Sequence, residues 1–422
     1  MKCIPQNGPE RHRQIRTMNE IYSKAFITII AASGNTAADG LPGVSTVPRV
    51  AQMETQVNGC TFLEIPPIFD SLWKSKWATR GWTYQEGLLS TRCLIFTDRG
   101  ISYRCRDTYT EESLQQLTPY NTTVASKGPS IQQSLKFLFA STTTNFHELT
   151  QRIFVYTLRR LSYPDDSINA FLGILSDYER LMKLPVSSPI SHLWGVPFKE
   201  DVLILGWYHF SPPKRRKSSF PSWSWSGWEG GALFDNHQGL RGRFLSSNPT
   251  YAPVSVDITE TLADLYDYKS KFLYLTGPIV PLKFADMEQT QTIMNQLKQE
   301  SDAPRLPNLD SRTSPHQIML ELSTGTFSII SSNMDTDVKA KDNTFGLLLF
   351  QPISPAFDLR GILVLREDNQ FFSRIGYIGV ENVKKSRLLD ANGVSVSDNP
   401  RLACGGRLEF CHRAVRRRIC LQ

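Results

Sequence analysis

Residues 73–105 read WKSKWATRGWTYQEGLLSTRCLIFTDRGISYRC, and this stretch decides the class of fold at the start of the chain. Trp73, Trp77, Trp82, Glu86 and Leu89 fit a helix whose firmest part starts near Thr83. Cys93–Thr97 and Ile101–Cys105 read as two short strands, and Asp98-Arg99-Gly100 between them is turn chemistry for a hairpin. Upstream, Ile15, Met18, Tyr22 and Ala25 recur at helical spacing over residues 9–25. Phe26–Ala32 follows as a β-branched run of the length of a buried strand, broken by Ser33-Gly34-Asn35 and a Gly/Pro-containing loop to about Pro48. Helix, strand, loop, helix, strand is an α/β opening.

Working outward, the middle of the chain reads as helical. Phe146, Leu149, Ile153, Tyr156 and Leu161 form one stripe, ended by Tyr163-Pro164. Asp165-Asp166-Ser167 then supplies an N-cap for a second helix that turns Ile168, Phe171, Leu172, Leu175, Tyr178 and Met182 inward. The Trp-rich segment 220–228, FPSWSWSGW, reads as core or interdomain packing. After about Gly230 the texture turns to short strands between Gly, Pro, Asn and Asp: 272–275, 326–330, 345–350, 361–365 and 371–380. The polar stretch 286–315 reads as a surface insert open to proteolysis. The expected division is a partial α/β domain over 1–120, a helical region over 121–230 and an all-β module over 231–422.

The chain has 422 residues, 40% hydrophobic and 21% charged, so a disordered or collagen-like chain is excluded. No apolar run approaches the ~20 residues of a membrane-spanning helix, and residues 1–8 carry no apolar signal core. A cytoplasmic protein without membrane partners is therefore expected. The net charge of +7 is local: Lys214–Lys217 contributes +4 and residues 401–422 contribute +5, leaving the remainder slightly acidic. Two patches are not a basic domain face, so nucleic acid is not an expected partner, and binding through those patches stays a third reading. Seven cysteines, at 3, 60, 93, 105, 404, 411 and 420, show no C-x-x-C spacing. Neither a disulfide framework nor a metal site is expected. His147-Glu148 reads as a surface pair at a helix start.

No G-x-G-x-x-G, G-x-x-x-x-G-K, H-E-x-x-H or G-x-S-x-G occurs. What remains is RGWTYQEGLLSTRCLIFT at 80–97, followed by ISYRCRD at 101–107. These blocks resemble the last signature of the fungal heterokaryon incompatibility (HET) domain. CIPQNGPERHRQIRTMNEIYSKAFITIIAASG at 3–34 resembles the segment that begins at the end of that domain's W-I-D-x-L-C-I-x-Q block. YTLRRLSYPDDSINAFLGILSDYERL at 156–181, HLWGVP at 192–197 and FPSWSWSGW resemble the region that follows it. The family's first block, A-x-S-Y-x-W-G, has no counterpart in the chain. The resemblance therefore implies an N-terminally truncated or degenerate domain that lacks its leading strands.

The HET domain is similar to the TIR fold, so the resemblance implies an incomplete, flavodoxin-like α/β domain within an α+β chain. It also implies a role in self/non-self recognition, programmed cell death and innate immunity, through other proteins or self-association. Many TIR domains carry a W-C-x-x-E element whose Glu serves in cleaving NAD. Trp82-Thr83-Tyr84-Gln85-Glu86 keeps the Trp-to-Glu spacing, with Thr83 in place of the Cys. The enzymatic reading makes Glu86 the catalytic carboxylate, Trp82 and Arg80 the contacts to the ring and phosphate of NAD, and NAD the substrate with no cofactor required. Without the leading strands, such a chain is expected to be weak or inactive. The other reading gives Trp82 to the core, pairs Glu86 with Arg80 or Arg92, and makes the protein a non-catalytic interaction scaffold.

Overall fold

The computed structural model describes residues 14–15, 17–36, 38–44, 46–64, 68–105, 108–112, 138–139, 146–182, 191–199, 202–209, 213, 215–234, 254–256, 270–284, 316–323, 326–335, 343–353, 356–379, 387–389 and 414–422. The 286–315 insert, Cys3, Cys404 and Cys411 lie outside them. The chain forms two compact units, residues 1–189 and 190–422. The sequence reading divides it instead at about 120 and 230.

In the first unit, α1 (Met18–Lys24) leads into β1 (Thr28–Ala31). A hairpin of β2 (Glu54–Val57) and β3 (Cys60–Leu63) turns at Asn58-Gly59, where both residues have positive φ, as a two-residue hairpin turn requires. The helical stretch expected from Trp73 is three pieces: α2 (Ile68–Lys74), α3 (Lys76–Thr79) and α4 (Thr83–Leu89). Ser75 makes one of the breaks, since its hydroxyl leaves the helix to accept the Ala78 N–H at 3.1 Å and cap α3. Then come β4 (Arg92–Phe96), β5 (Ile101–Cys105) and β6 (Tyr109–Glu111). The sheet order is β1-β4-β5-β6, with β1 parallel to β4 and the other pairs antiparallel.

The expectation of a buried strand at 26–32 is corrected. Ile30 is fully buried, but Ile29 is 58% exposed and Phe26 81% exposed. Burial alternates along β1, so one face meets the core and the other does not, and among the described residues β1 pairs only with β4. A β-branched run alone cannot tell a one-sided edge from a two-sided interior.

Further helices described in this unit are α5 (Phe146–Thr157) and α6 (Leu172–Met182). Leu149, Ile153 and Tyr156 are buried, as their stripe predicts. The expected N-cap at 165–167 is corrected: Pro164–Ser167 is a 3-10 turn and α6 begins only at Leu172. Helix α4 packs against both α1 and α6. Among the described residues after Met182, short strands and a 3-10 turn at Trp225–Gly227 follow.

The second unit begins with a meander of β7 (Ser191–Leu193), β8 (Val196–Lys199) and β9 (Val202–Leu203). Next come β10 (Trp207–His209), β11 (Arg215–Arg216), β12 (Trp228–Glu229) and β13 (Ala232–Phe234), with β10 paired to β13 and β11 to β12. The large sheet holds β14 (Ser255–Val256), β15 (Leu273–Leu282), β16 (His316–Ser323), β17 (Thr326–Met334), β18 (Thr344–Ile353), β19 (Ala356–Asp368), β20 (Phe371–Gly379), β21 (Arg387–Leu389) and β22 (Val415–Leu421). The strand signals read after Gly230 fall inside β15, β17, β18, β19 and β20, while β16, β21 and β22 carry none.

Five of these strands close on themselves. β15 pairs with β18, β18 with β19, β19 with β20, and β22 with both β20 and β15. Register shifts at Leu349/Phe350 and Val364/Leu365 supply the local bending that such closure needs. Leu273, Leu347, Leu363 and Leu421 are fully buried. Within this ring no strand is left as a free edge, while β14 and β16 remain at the ends of the sheet's path.

The tryptophans of the second unit are core, each with its polar tip satisfied. Trp194 donates to Ser270 O at 2.8 Å, Trp207 to Trp223 O at 3.0 Å and Trp223 to Lys271 O at 3.0 Å. Trp225 donates to Gly195 O and Trp228 to Ser222 O, both at 2.8 Å. A buried indole N–H left unpaired would cost a hydrogen bond, so these partners fix each ring's orientation.

Candidate functional site

The site in the first unit is built where two distant segments run side by side. Arg80, just past α3, forms a parallel bridge with Arg160. Arg160 donates its N–H to Thr79 O at 2.7 Å, and Gly81 donates to Arg160 O at 2.8 Å. A Cβ at Gly81 would lie 2.5 Å from Leu161 Cδ2, so a larger residue there would have to push that side chain aside. The bridge sets Arg159, from the end of the α5 segment, beside the start of α4.

Helix α4 opens with Trp82, half-buried, whose indole N–H donates to Asp166 Oδ2 at 3.3 Å. The Thr83 hydroxyl reaches back to the Trp77 and Arg80 carbonyl oxygens and closes the entry turn. One turn later Glu86 is half-buried, and its Oε2 accepts the Trp77 indole N–H at 2.9 Å. Gly87 lets Trp77 come this close, because a Cβ there would lie 2.8 Å from Trp77 Cη2. Burial pushes the Glu86 carboxyl above the usual carboxylate range. The Trp77 hydrogen bond opposes that most, then the Arg80 and Arg159 charges and a hydrogen bond from Tyr22.

Arg80, Trp82 and Glu86 are thus gathered at one place, though with distinct partners. Trp82 and Glu86 stand a turn apart, yet their polar atoms turn to Asp166 and to Trp77. Among the described residues no ion pair joins Glu86 to Arg80 or Arg92. Arg92 lies instead over the Phe26 ring, 5.4 Å from its centroid. Trp77, Tyr22 and Arg159 were missed by sequence reasoning. Trp77 has a local signal, its helical spacing to Trp73; Arg159 has none, since only the bridge brings it to Glu86.

Glu148 is no surface group: it pairs with the buried Arg152 at 2.9 Å. Arg216 donates to Gly227 O at 3.0 Å and Phe220 O at 2.5 Å, and lies 5.3 Å from the centre of the Trp228 ring. The tail arginines 416–418 stand on β22, where Arg417 approaches Glu367 at 3.4 Å. Cys60, Cys93, Cys105 and Cys420 are free thiols. No three His, Cys, Asp or Glu side chains among the described residues are placed to hold a metal ion. None of the described helices is long and apolar enough to cross a membrane.

A half-buried carboxylate with raised proton affinity, fixed by an indole and flanked by two guanidinium groups, defines a polar site at the foot of a mixed α/β unit. Residues 1–86 match the family described as heterokaryon incompatibility protein (HET). The match ends at Glu86 itself, so the resemblance drawn from later blocks lies beyond it. No curated protein and no solved structure matches the chain.

Proposed function

We propose that this protein acts in heterokaryon incompatibility, as a cytoplasmic self/non-self recognition factor in programmed cell death, with NAD cleavage at Glu86 as its enzymatic version and that activity weak or absent in the chain as it stands. The observation that carries the reading is Glu86: a desolvated carboxylate at the end of the HET match, held by Trp77 with Arg80 and Arg159 nearby. Cleavage at the nicotinamide–ribose bond develops oxocarbenium character on the ribose, and a fixed anion beside it stabilises that charge. NAD is the substrate, and no resident cofactor is needed. A TIR-like, flavodoxin-like arrangement is supported by the parallel pair β1–β4, whose connection carries helices α2–α4. That support is a fold-level analogy.

The test is NAD loss in cells and with the purified chain, comparing wild type with Glu86→Ala and Glu86→Gln. Loss that depends on Glu86 supports the reading; equal loss in all three removes Glu86 from the chemistry. A second reading, a non-catalytic scaffold that self-associates or binds another protein, is favoured by one feature. The β1 edge exposes Phe26 and Ile29, and apolar strand edges recruit partners. Concentration-dependent association without NAD turnover would select it.

A further inference from the structure

We infer that Arg159 and Arg80 form a subsite for a phosphoryl or diphosphoryl group beside Glu86. Arg159 is an unusual guanidinium. Its plane covers the Tyr84 ring at 4.3 Å, and its Nη1 donates to Arg80 O at 3.2 Å. Its Nε is buried and has no hydrogen-bond partner among the described residues. No carboxylate among them comes within ion-pair distance of it, in contrast with the buried Arg152 and Arg374, which each have one.

The nearest acid, Glu86, does not discharge this obligation. Its proton affinity is raised by burial, and its Oε2 is occupied by the Trp77 indole. Burial likewise pulls the Arg159 guanidinium down to about 10, which is still charged at neutral pH. Arg80 adds a second cation: its side chain is exposed and makes no hydrogen bond or ion pair among the described residues, while its charge is felt at Glu86. Two guanidinium groups thus face one reluctant carboxylate. Burying a cation without a counter-charge is costly, and an exogenous anion relieves that cost. A phosphoryl group fits best, because a guanidinium fork grips two of its oxygens and a dianion matches two cations.

The inference deepens the proposed function, resting on it for the reacting carboxylate but not for the anion contact, so binding alone tests it. Full-length protein is titrated calorimetrically with inorganic pyrophosphate and with ADP-ribose, the diphosphate-bearing product of the proposed cleavage. Wild type is expected to bind both. Arg159→Gln and Arg80→Gln should each weaken binding about tenfold or more, Arg159→Lys less, and Glu86→Gln should bind at least as tightly as wild type. Circular dichroism accompanies each variant, and if Arg159→Gln fails to fold, the exposed Arg80→Gln decides. No binding of either probe by wild type, or unchanged affinity in the folded arginine variants, overturns the subsite. Arg159-dependent binding without NAD cleavage would keep the subsite and remove the enzymatic reading; Glu86-dependent cleavage with binding indifferent to the arginines would do the reverse.

Discussion

The Trp77 indole N–H donates to Glu86 Oε2 at 2.9 Å, so a neutral donor rather than a cation holds the half-buried carboxylate of the first unit. Because Gly87 presents no side chain, the Trp77 ring sits directly against α4, and its other neighbour is the Phe139 ring, stacked with centroids 6.4 Å apart. The tryptophan therefore packs and orients at once.

Trp77→Phe keeps a ring against Phe139 but removes the donor. The folded-state affinity of Glu86 for its proton is raised, so its contribution to stability is present at low pH and lost as pH rises through the folded value. Removing the indole N–H raises that affinity further, because the hydrogen bond favours the charged form. Urea unfolding should show a loss of about 2 kcal/mol at pH 7 and a smaller one at pH 4. Equal losses at both pH values would mean that Trp77 acts by packing alone.

Gly195 in the second unit has φ of 85°, and a Cβ there would fall 2.6 Å from Trp225 Cζ2. Its carbonyl is also the acceptor of the Trp225 indole. Gly195→Ala is expected to cost about 2–4 kcal/mol, through both backbone strain and displacement of a fully packed ring. Chemical denaturation would measure it; a change under 1 kcal/mol would contradict this account.

Arg374 and Asp335 form a buried ion pair at 2.8 Å. Arg374 lies over the Trp207 ring at 3.4 Å and donates to Leu205 O and Trp207 O at 3.3 and 2.5 Å. Asp335→Asn strands this guanidinium without a counter-charge and should destabilise by about 3–5 kcal/mol. Arg374→Met combined with Asp335→Leu should cost less than the single change, since no lone charge remains. A double variant worse than Asp335→Asn would show that the hydrogen bonds outweigh the charge.

His209 stands 3.5 Å from Asp335, with Trp207 and Trp228 edge-on to its ring. Burial pulls its proton affinity down from 6.5 to about 4, with Asp335 opposing and Arg374 adding to the fall. The unfolded chain takes up a proton below pH 6.5 while the folded one stays neutral. Stability therefore falls as pH drops from 6.5 to about 4 and levels off below, by on the order of 3 kcal/mol. His192, whose proton affinity burial also pulls down to about 4, acts in the same window, so His209→Gln should reduce that slope in urea midpoints without abolishing it. An unchanged slope would assign it to other groups.

Much of the local structure was legible. The hairpin at 92–105 and the stripe of α5 follow from period and turn chemistry, because those signals act between residues close in sequence. The strands after Gly230 were found where side chains pack on a pleated surface, while β22, with three consecutive arginines, gave no such pattern. It is a strand because β15 and β20 offer it backbone partners. The 165–167 cap failed because Asp166 serves the Trp82 indole rather than the start of α6.

The sequence by itself determined the chain's α/β opening, its later β texture, its HET resemblance and the prominence of Arg80, Trp82 and Glu86. Each rests on neighbouring residues, whose spacing the helix and strand periods convert directly into faces. Tertiary structure alone decided which side of β1 is covered, that five strands close into a ring, and that Arg159 joins Glu86. Those outcomes depend on backbone pairings between distant segments, Arg80 with Arg160 and β22 with β15, and on the burial that such pairings impose on charges. No local period encodes them.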